Sequence, residues 1–160
     1  MKLPFFQQNA SQDLITSQLF DERTFYRKFV KDVSGCHREL IIESPFITTR
    51  RLKCLLPNME RHVRCGRQVI VNTRHPDEHE EYLKSEAEAS IALLQDAGVT
   101  VLFTGGHHRK LAIIDRNILW EGSLNILSHN NSCEVMRRMG SPVLAQDMIT
   151  FLGIGRYTHN

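Results

Sequence analysis

Short apolar runs alternate with segments of helical periodicity from residue 21 to residue 103, and this alternation constrains the fold of the chain most strongly. The pattern predicts three helices and three buried strands, in the order 21–33 (helix), 40–42 (strand), 49–63 (helix, broken or kinked at Pro57), 68–71 (strand), 76–97 (helix) and 99–103 (strand). Such alternation favours an α/β fold with a mixed, largely parallel central β-sheet and helices on both faces.

The pattern changes after the glycine pair at 105–106. Residues 108–114 and 118–125 both have strand character, and the dipeptide 116–117 between them suits a two-residue hairpin turn. A last helix is predicted at 143–152. The second part of the chain is therefore predicted to add an antiparallel hairpin to the sheet.

The predicted hairpin gathers polar groups on one side of the sheet. With a two-residue turn, Lys110 lies opposite Ser123, and His108 lies opposite Asn125, and directly opposed residues point to the same side. An imidazole is a competent nucleophile or proton carrier near pH 7. An ammonium group neutralises phosphate oxygens, and a hydroxyl and an amide complete the hydrogen bonding. The cluster suits chemistry on a phosphate.

These same residues resemble the phospholipase D superfamily. His108, Lys110 and Asp115 match its H-x-K-x4-D signature, and Gly122-Ser123-Leu124-Asn125 matches the G-S-x-N element that accompanies the signature. The joint match is more specific than either motif alone. It implies a phospholipase D-like α-β-α sandwich and a phosphodiesterase activity.

Two further features extend the resemblance over residues 38–138. Glu134 lies where many members have an acidic residue, and Ile41 to Phe46 is similar to the first strand of members attached to helicases. The chain thus resembles a single-motif, nuclease-like member, with a helicase as a possible partner or fusion.

The resemblance implies a role for each residue of the cluster. His108 would attack phosphorus and form a phosphohistidine intermediate, and its spacing to Lys110 selects it over the adjacent His107. Lys110, Ser123 and Asn125 would hold the phosphate oxygens.

The remaining motif residues have supporting roles. Glu134 would accept a hydrogen bond from a histidine ring, while Asp115 and Gly122 would be structural. The family normally uses two motifs, but this chain has one. The resemblance therefore implies a homodimer in which His108 of a second subunit completes the site. It implies no metal and no cofactor.

The distribution of charge suggests the substrate. The formal net charge is only +2, yet residues 50–67 carry six Lys or Arg against one acid, and residues 77–88 are strongly acidic. Nucleic-acid affinity rests largely on phosphate contacts. The residues that follow the strand at 40–42 are predicted to bind nucleic acid, DNA more readily than RNA: Thr48, Thr49, Arg50, Arg51 and Lys53.

Composition indicates a packed globular protein. Hydrophobic residues make up 41% of the 160 residues, which predicts a packed fold and excludes wholesale disorder. We expect one domain over residues 1–160, with about the first 20 residues peripheral. No signal peptide or membrane span is apparent, and four scattered cysteines indicate reduced thiols in or near the core. The protein is predicted to be cytoplasmic and to have no membrane partner.

Other functions compete with this interpretation. His75 to His79 matches an H-x-x-E-H zinc-peptidase pattern, but Pro76 favours a helix start. His62 with Cys65 and Cys54 suggests zinc only weakly, because no C-x-x-C pair exists. Two alternatives stay open: a DNA-binding accessory domain of a helicase-type system that has lost turnover, and a phospholipid-directed phosphodiesterase.

Overall fold

A seven-stranded mixed sheet is the centre of the fold in the computed structural model, which describes residues 16–128 and 131–158. The strands are β1 (Thr16–Asp21), β2 (Glu39–Glu43), β3 (Gln68–Thr73), β4 (Thr100–Phe103), β5 (Leu111–Ile114), β6 (Ile118–Gly122) and β7 (Val135–Gly140). The helices are α1 (Phe25–Ser34), α2 (Thr49–Leu52), α3 (Leu56–Arg64), α4 (Glu81–Asp96) and α5 (Pro142–Leu152), with 3₁₀ turns at Pro76–Glu78 and Gly155–Tyr157. In space the strands lie in the order β1-β7-β6-β5-β2-β3-β4.

The sheet is mixed, as predicted, but it is mostly antiparallel. Only the β2–β3 and β3–β4 pairs are parallel, and the other four pairs are antiparallel. The prediction of a largely parallel sheet was wrong because it extended the helical crossovers of the first half to the whole chain. Strands β5, β6 and β7 follow one another without a crossover helix, and such connections give antiparallel neighbours.

Trp120 on β6 is the centre of the larger core, on the sheet face that α1, α3 and α4 cover. Its buried ring meets Phe25 edge-on at 5.1 Å between centroids and Phe29 at 5.9 Å. Its indole nitrogen donates a hydrogen bond of 3.1 Å to Asp32 of α1. Arg138 of β7 donates to the same carboxylate oxygen at 2.6 Å, so the helix, β6 and β7 are tied together.

A smaller core covers the opposite face of the sheet. Ala145 and Ile149 of α5 pack there with Ile41, Ile70 and Ile113 from the central strands. Helix α5 starts at Pro142, where the Ser141 hydroxyl accepts a hydrogen bond from the Leu144 N–H, and it ends before Gly153 in a left-handed conformation. Helices therefore flank both faces, as the sequence predicted.

The hairpin β5–β6 differs from the prediction by one residue. Ile114 pairs with Ile118, so the connection has three residues, and its first two, Asp115 and Arg116, have φ of 54° and 53°. Lys110 consequently comes opposite Gly122, whose N–H donates to the Lys110 carbonyl at 3.2 Å. The predicted pairings of Lys110 with Ser123 and of His108 with Asn125 were wrong.

Other boundaries were also corrected. The helix predicted at 49–63 is broken, as expected, but the break lies at residues 53–55 and Pro57 is in the first turn of α3. The predicted helix at 76–97 begins instead as a 3₁₀ turn, and α4 starts only after two extended residues. The segments 108–110 and 123–125 lie outside the strands.

Two strands were not predicted, β1 at one edge of the sheet and its neighbour β7. Strand β1 pairs with β7 along its whole length, although residues 16–20 belong to the segment expected to be peripheral. Residues 1–15 lie outside the described part of the chain.

Of the cysteines, Cys36 is buried, but Cys54, Cys65 and Cys133 are exposed, which corrects their predicted place in or near the core. No helix among the described residues is long and apolar enough to cross a membrane.

Candidate active site

A buried polar network lies beneath the segment that carries the histidine–lysine pair. Glu43, at the end of β2, has no exposed surface, and one of its carboxylate oxygens accepts a hydrogen bond of 2.6 Å from Nε of Arg109. The other oxygen accepts a bond of 2.8 Å from the side-chain amide of Asn72 on β3. The ends of two parallel strands are thereby joined to residues 107–109.

His107 belongs to this network. Its Nε2 lies 3.2 Å from the Asn72 carbonyl and 3.4 Å from the Glu43 carboxylate, while its Nδ1 accepts a hydrogen bond of 3.1 Å from the Arg109 N–H. A carbonyl only accepts and a backbone N–H only donates, so the proton of the neutral ring is on Nε2. Burial lowers the pKa of His107, although the Glu43 carboxylate opposes this effect. A ring so enclosed cannot reach a substrate.

His108 is exposed, unlike its neighbour. Its Nε2 lies 3.1 Å from Nη2 of Arg74, the residue that directly follows β3. Arg74 was not among the residues predicted for the site. Its position after a predicted parallel strand could have indicated it, because functional residues commonly lie at the carboxyl ends of parallel strands in an α/β sheet.

Lys110 lies directly before the start of β5, close to the start of the G-S-x-N segment. Its ammonium group donates a hydrogen bond of 2.8 Å to the His108 carbonyl. The residue lines an open cleft of about 440 Å³ with Glu121, Gly122 and Arg137. Lys110 and His108 are thus adjacent at one edge of the sheet.

The other residues predicted for the site lie on the β6–β7 side. The Ser123 hydroxyl accepts a hydrogen bond of 3.1 Å from the Val135 N–H, so Ser123 is fixed against β7. Asn125 and Glu134 line a second cleft, of about 350 Å³, together with Arg51. The buried Oδ1 of Asn125 has no hydrogen-bond partner among the described residues. His108 does not line this cleft, so the structure brings the predicted residues together in two groups.

Glu134 was predicted to contact a histidine ring. Within the described residues its carboxylate instead accepts a hydrogen bond of 2.5 Å from the Ser132 hydroxyl, and its N–H donates to Glu22 at 3.1 Å. That N–H is the main reason why the pKa of Glu22 is lowered. The predicted role of Glu134 therefore needs a histidine from outside this set of residues.

Asp115, the last residue of the signature, lies at the far end of the hairpin. Its carboxylate accepts hydrogen bonds of 2.7 to 3.2 Å from the backbone N–H groups of His37, Arg38 and Glu39. Burial raises its pKa, but these donors outweigh burial and hold the pKa below its usual value. The Cys36 thiol donates at 3.3 Å, and burial raises the pKa of that thiol to about 12. Asp115 thus holds the start of β2.

The residues predicted to bind nucleic acid have different surroundings. The Thr48 hydroxyl caps α2, and both the N–H and the hydroxyl of Thr49 donate to Glu86 of α4 at 2.6 and 2.7 Å. Arg50 and Lys53 are exposed. The guanidinium of Arg51 stacks on the Tyr26 ring at 3.5 Å and lines the cleft that contains Asn125.

The two zinc patterns are explained by local structure. His75 caps the 3₁₀ turn, with Nδ1 accepting from the Asp77 N–H at 3.3 Å, so it precedes the helical segment as expected. His62 is buried, and its ring nitrogens contact the Val33 carbonyl and Arg67, whereas Cys65 is exposed. Among the described residues, no three His, Cys, Asp or Glu side chains cluster as a metal site would require.

Solved structures share this fold, and one of them is described as a phospholipase D family member. The chain is similar to Nuc from Salmonella typhimurium, a phospholipase D family member, with a TM-score of 0.72 and 13% identity over 91% of this chain and 97% of that one. It is also similar to NucT from Helicobacter pylori, with a TM-score of 0.71 and 17% identity over 90% and 97% of the two chains. Phosphatidylserine synthase from Haemophilus influenzae gives a TM-score of 0.64 and 14% identity over 91% and 40%. No protein-family model matches the sequence, and the comparison with curated proteins gave no match.

These similarities define the class of fold. The chain has a phospholipase D-type fold, and Nuc and NucT are matched over nearly their whole length. At such low identity the similarity concerns the fold, so the function has to be argued from the residues of the site.

Proposed function

We propose that this chain is a metal-independent phosphodiesterase that hydrolyses nucleic acid, DNA in preference to RNA, and that works as a homodimer with one shared active site. One observation carries the proposal. On a phospholipase D-type fold, the exposed His108 and the half-buried Lys110 lie just before β5, and the G-S-x-N segment lies at the end of the adjacent β6. The similarity to Nuc and NucT supports the phosphodiester class of chemistry.

In this proposal His108 is the nucleophile. A ring nitrogen forms a bond to phosphorus while the bond from phosphorus to the leaving oxygen breaks, and the electron pair of that bond goes to the oxygen. The oxygen takes a proton from His108 of the partner subunit. A water molecule then attacks phosphorus and gives its proton to that same partner imidazole. The nitrogen–phosphorus bond breaks, and its electron pair returns to His108.

The other polar residues would stabilise the charge on the phosphate. Lys110 would neutralise non-bridging oxygens, and Ser123 and Asn125 would donate hydrogen bonds to them. Lys110 lies opposite Gly122, so the lysine and the G-S-x-N segment are at the same end of the β5–β6 pair, where a phosphate bound between two subunits would meet them. Glu134 would then accept a hydrogen bond from a histidine of the partner subunit.

Nucleic acid is proposed as the substrate because of the basic residues near the site. Arg50 and Lys53 are exposed, and Arg51 lines the cleft with Asn125, so basic groups extend from the proposed site along α2. A polyanionic backbone suits such an arrangement.

We further propose that the protein is cytoplasmic, since its cysteines are unpaired. A helicase is a candidate partner, and this proposal rests on the resemblance of residues 41–46 alone.

The activity is tested by incubating the purified chain with plasmid and single-stranded DNA in excess EDTA, beside His108→Ala and His107→Gln. Cleavage by the wild type that is lost in His108→Ala and persists in a folded His107→Gln supports the proposal. Cleavage abolished by EDTA contradicts a metal-independent reaction. Absence of DNA cleavage together with release of choline from phosphatidylcholine vesicles favours the phospholipid alternative, and DNA binding without cleavage favours the accessory-domain alternative.

The shared site is tested by mixing subunits. Wild type and His108→Ala are unfolded together in equal amounts and refolded, so that dimers form at random. If each site needs His108 from both subunits, activity falls to about one quarter of that of the same total amount of wild type, because only wild-type pairs are active. A fall to about one half would show that each subunit works alone and would contradict the shared site.

A further inference from the structure

Arg74 contacts the nitrogen of His108 that faces it. Nη2 of Arg74 lies 3.1 Å from Nε2 of His108, and the arginine side chain is only 17% exposed. A guanidinium group donates hydrogen bonds and accepts none. The contact is therefore a hydrogen bond only if Nε2 holds a lone pair. The neutral His108 ring then carries its proton on Nδ1, the opposite of the buried His107 ring next to it.

The guanidinium of Arg74 has a defined orientation. Its Nε lies 3.9 Å from the Glu78 carboxylate, which itself accepts a hydrogen bond of 2.9 Å from the Gly106 N–H. The central carbon of the group lies 5.5 Å from the centre of the Phe46 ring. Contacts on two sides thus direct Nη2 towards His108.

The charge of Arg74 is less neutralised than that of the neighbouring Arg109. Nε of Arg109 lies 2.6 Å from the buried Glu43 carboxylate and forms a direct ion pair. The corresponding contact of Arg74 with Glu78 is 3.9 Å long, and Nε of Arg74 has no hydrogen-bond partner among the described residues. Two arginines flank His108 in space, and Arg74 is the one able to give its donors to an incoming anion.

We propose that Arg74 is a catalytic residue of this site: it keeps Nε2 of His108 unprotonated before the reaction and then transfers its N–H donors to the phosphate. The inference rests on the proposed function and adds a residue outside the family motif. When a phosphodiester binds, Nη2 moves from Nε2 to a non-bridging oxygen, and the freed lone pair forms the nitrogen–phosphorus bond. The bond to the leaving oxygen breaks with its electron pair on that oxygen, which takes a proton from His108 of the partner subunit; that ring enters the step as an imidazolium and is not hydrogen-bonded to its own Arg74. Arg74 gives up no proton in this step.

Kinetics with bis(p-nitrophenyl) phosphate as the probe test the catalytic role. We expect Arg74→Ala to lower kcat about 100-fold with a much smaller change in KM, because the contact to phosphate strengthens as charge develops. Added guanidinium chloride at millimolar concentration should restore part of the rate in Arg74→Ala but not in His108→Ala. Arg64→Ala, which removes an exposed arginine at the end of α3, is the matched control and should leave the rate unchanged. A kcat of Arg74→Ala within about threefold of the wild type, or no rescue by guanidinium, would overturn the proposal.

A second measurement separates this proposal from the proposed function. Nitrogen-15 NMR of the histidine rings, with His108 assigned by the signal that His108→Ala loses, reports which nitrogen carries the proton. We expect the Nδ1–H form in the wild type and a shift towards the Nε2–H form in Arg74→Ala. If the wild type cleaves no phosphodiester, the proposed function fails, yet this result still supports the contact of Arg74 with the lone pair. The Nε2–H form in both proteins would overturn it.

Discussion

The carboxylate of Glu43 lies 2.6 Å from Nε of Arg109, and Glu43 has no exposed surface. This ion pair joins the end of β2 to the residue between His108 and Lys110. The same carboxylate lies 3.4 Å from Nε2 of His107, so one buried group contacts both chain neighbours of His108, His107 and Arg109. The position of the exposed imidazole thus depends on a charge that a substrate would never touch.

We predict that Glu43→Gln both destabilises the fold and slows cleavage. Glu43 is buried whereas the Arg109 side chain is 37% exposed, so we expect the loss of the carboxylate charge to lower the free energy of unfolding by about 1 to 3 kcal/mol. The rate should fall because residues 107–109 lose their support. Urea denaturation and cleavage assays measure the two effects. Glu88→Gln, on the exposed side of α4, should change the free energy by no more than about 0.5 kcal/mol, and an equally small change in Glu43→Gln would contradict the account.

We predict that Asp115 makes stability depend on pH in the acid range. Its folded pKa lies below the ordinary value of 3.8, because the N–H donors of His37, Arg38 and Glu39 outweigh burial. Such a carboxylate contributes its full stabilisation above the unfolded pKa and loses it as pH falls through the folded pKa. Asp115→Asn should therefore be less stable than the wild type by about 1 to 3 kcal/mol near pH 7, and the difference should shrink below about pH 4. Urea denaturation at several pH values measures it, and a difference that grows towards low pH would contradict the sign.

We predict that Gly122, the first residue of the G-S-x-N element, cannot be replaced by alanine without moving β7. A Cβ atom there would lie 2.1 Å from the Val135 carbonyl oxygen and 2.9 Å from the Met136 Cα, both of which are backbone atoms. Overpacking of this kind costs about 1 to 3 kcal/mol. The shift would also displace Ser123, which is bonded to Val135, so thermal stability and cleavage should both fall. Gly155→Ala, where nothing lies within 4 Å, is the control, and equal behaviour of the two variants would contradict this explanation.

The sequence predicted the strands with long apolar runs and the helices between them, because burial of whole strands leaves a strong local pattern. It did not predict β7, since this strand contains Arg137 and Arg138, and Arg138 is accommodated by an ion pair with the distant Asp32. The hairpin register was wrong by one residue because two consecutive residues with positive φ are not evident in Asp115-Arg116. Loop length fixes the register of a hairpin, so this local error moved every predicted cross-strand pair.

The candidate site was predicted only where its residues are close together in the chain. Spacing selected His108 and Lys110, which are close in the chain, and the structure places them next to each other. Glu43 ends β2 and Arg74 directly follows β3, and only the sheet order brings them to His108 and its neighbours. Their contacts depend on pairing between distant segments, for which the sequence contains no local signal.

Detection of a phosphohistidine on His108 would test the proposed nucleophile. Phosphodiester substrate is mixed with the enzyme, the reaction is quenched in alkali within the first turnover, and the peptide containing residues 107 and 108 is analysed by mass spectrometry. We expect a phosphorylated adduct on His108 that is absent from His108→Ala and that decays when turnover continues. An adduct on His107, or steady cleavage with no adduct on either ring, would contradict His108 as the nucleophile.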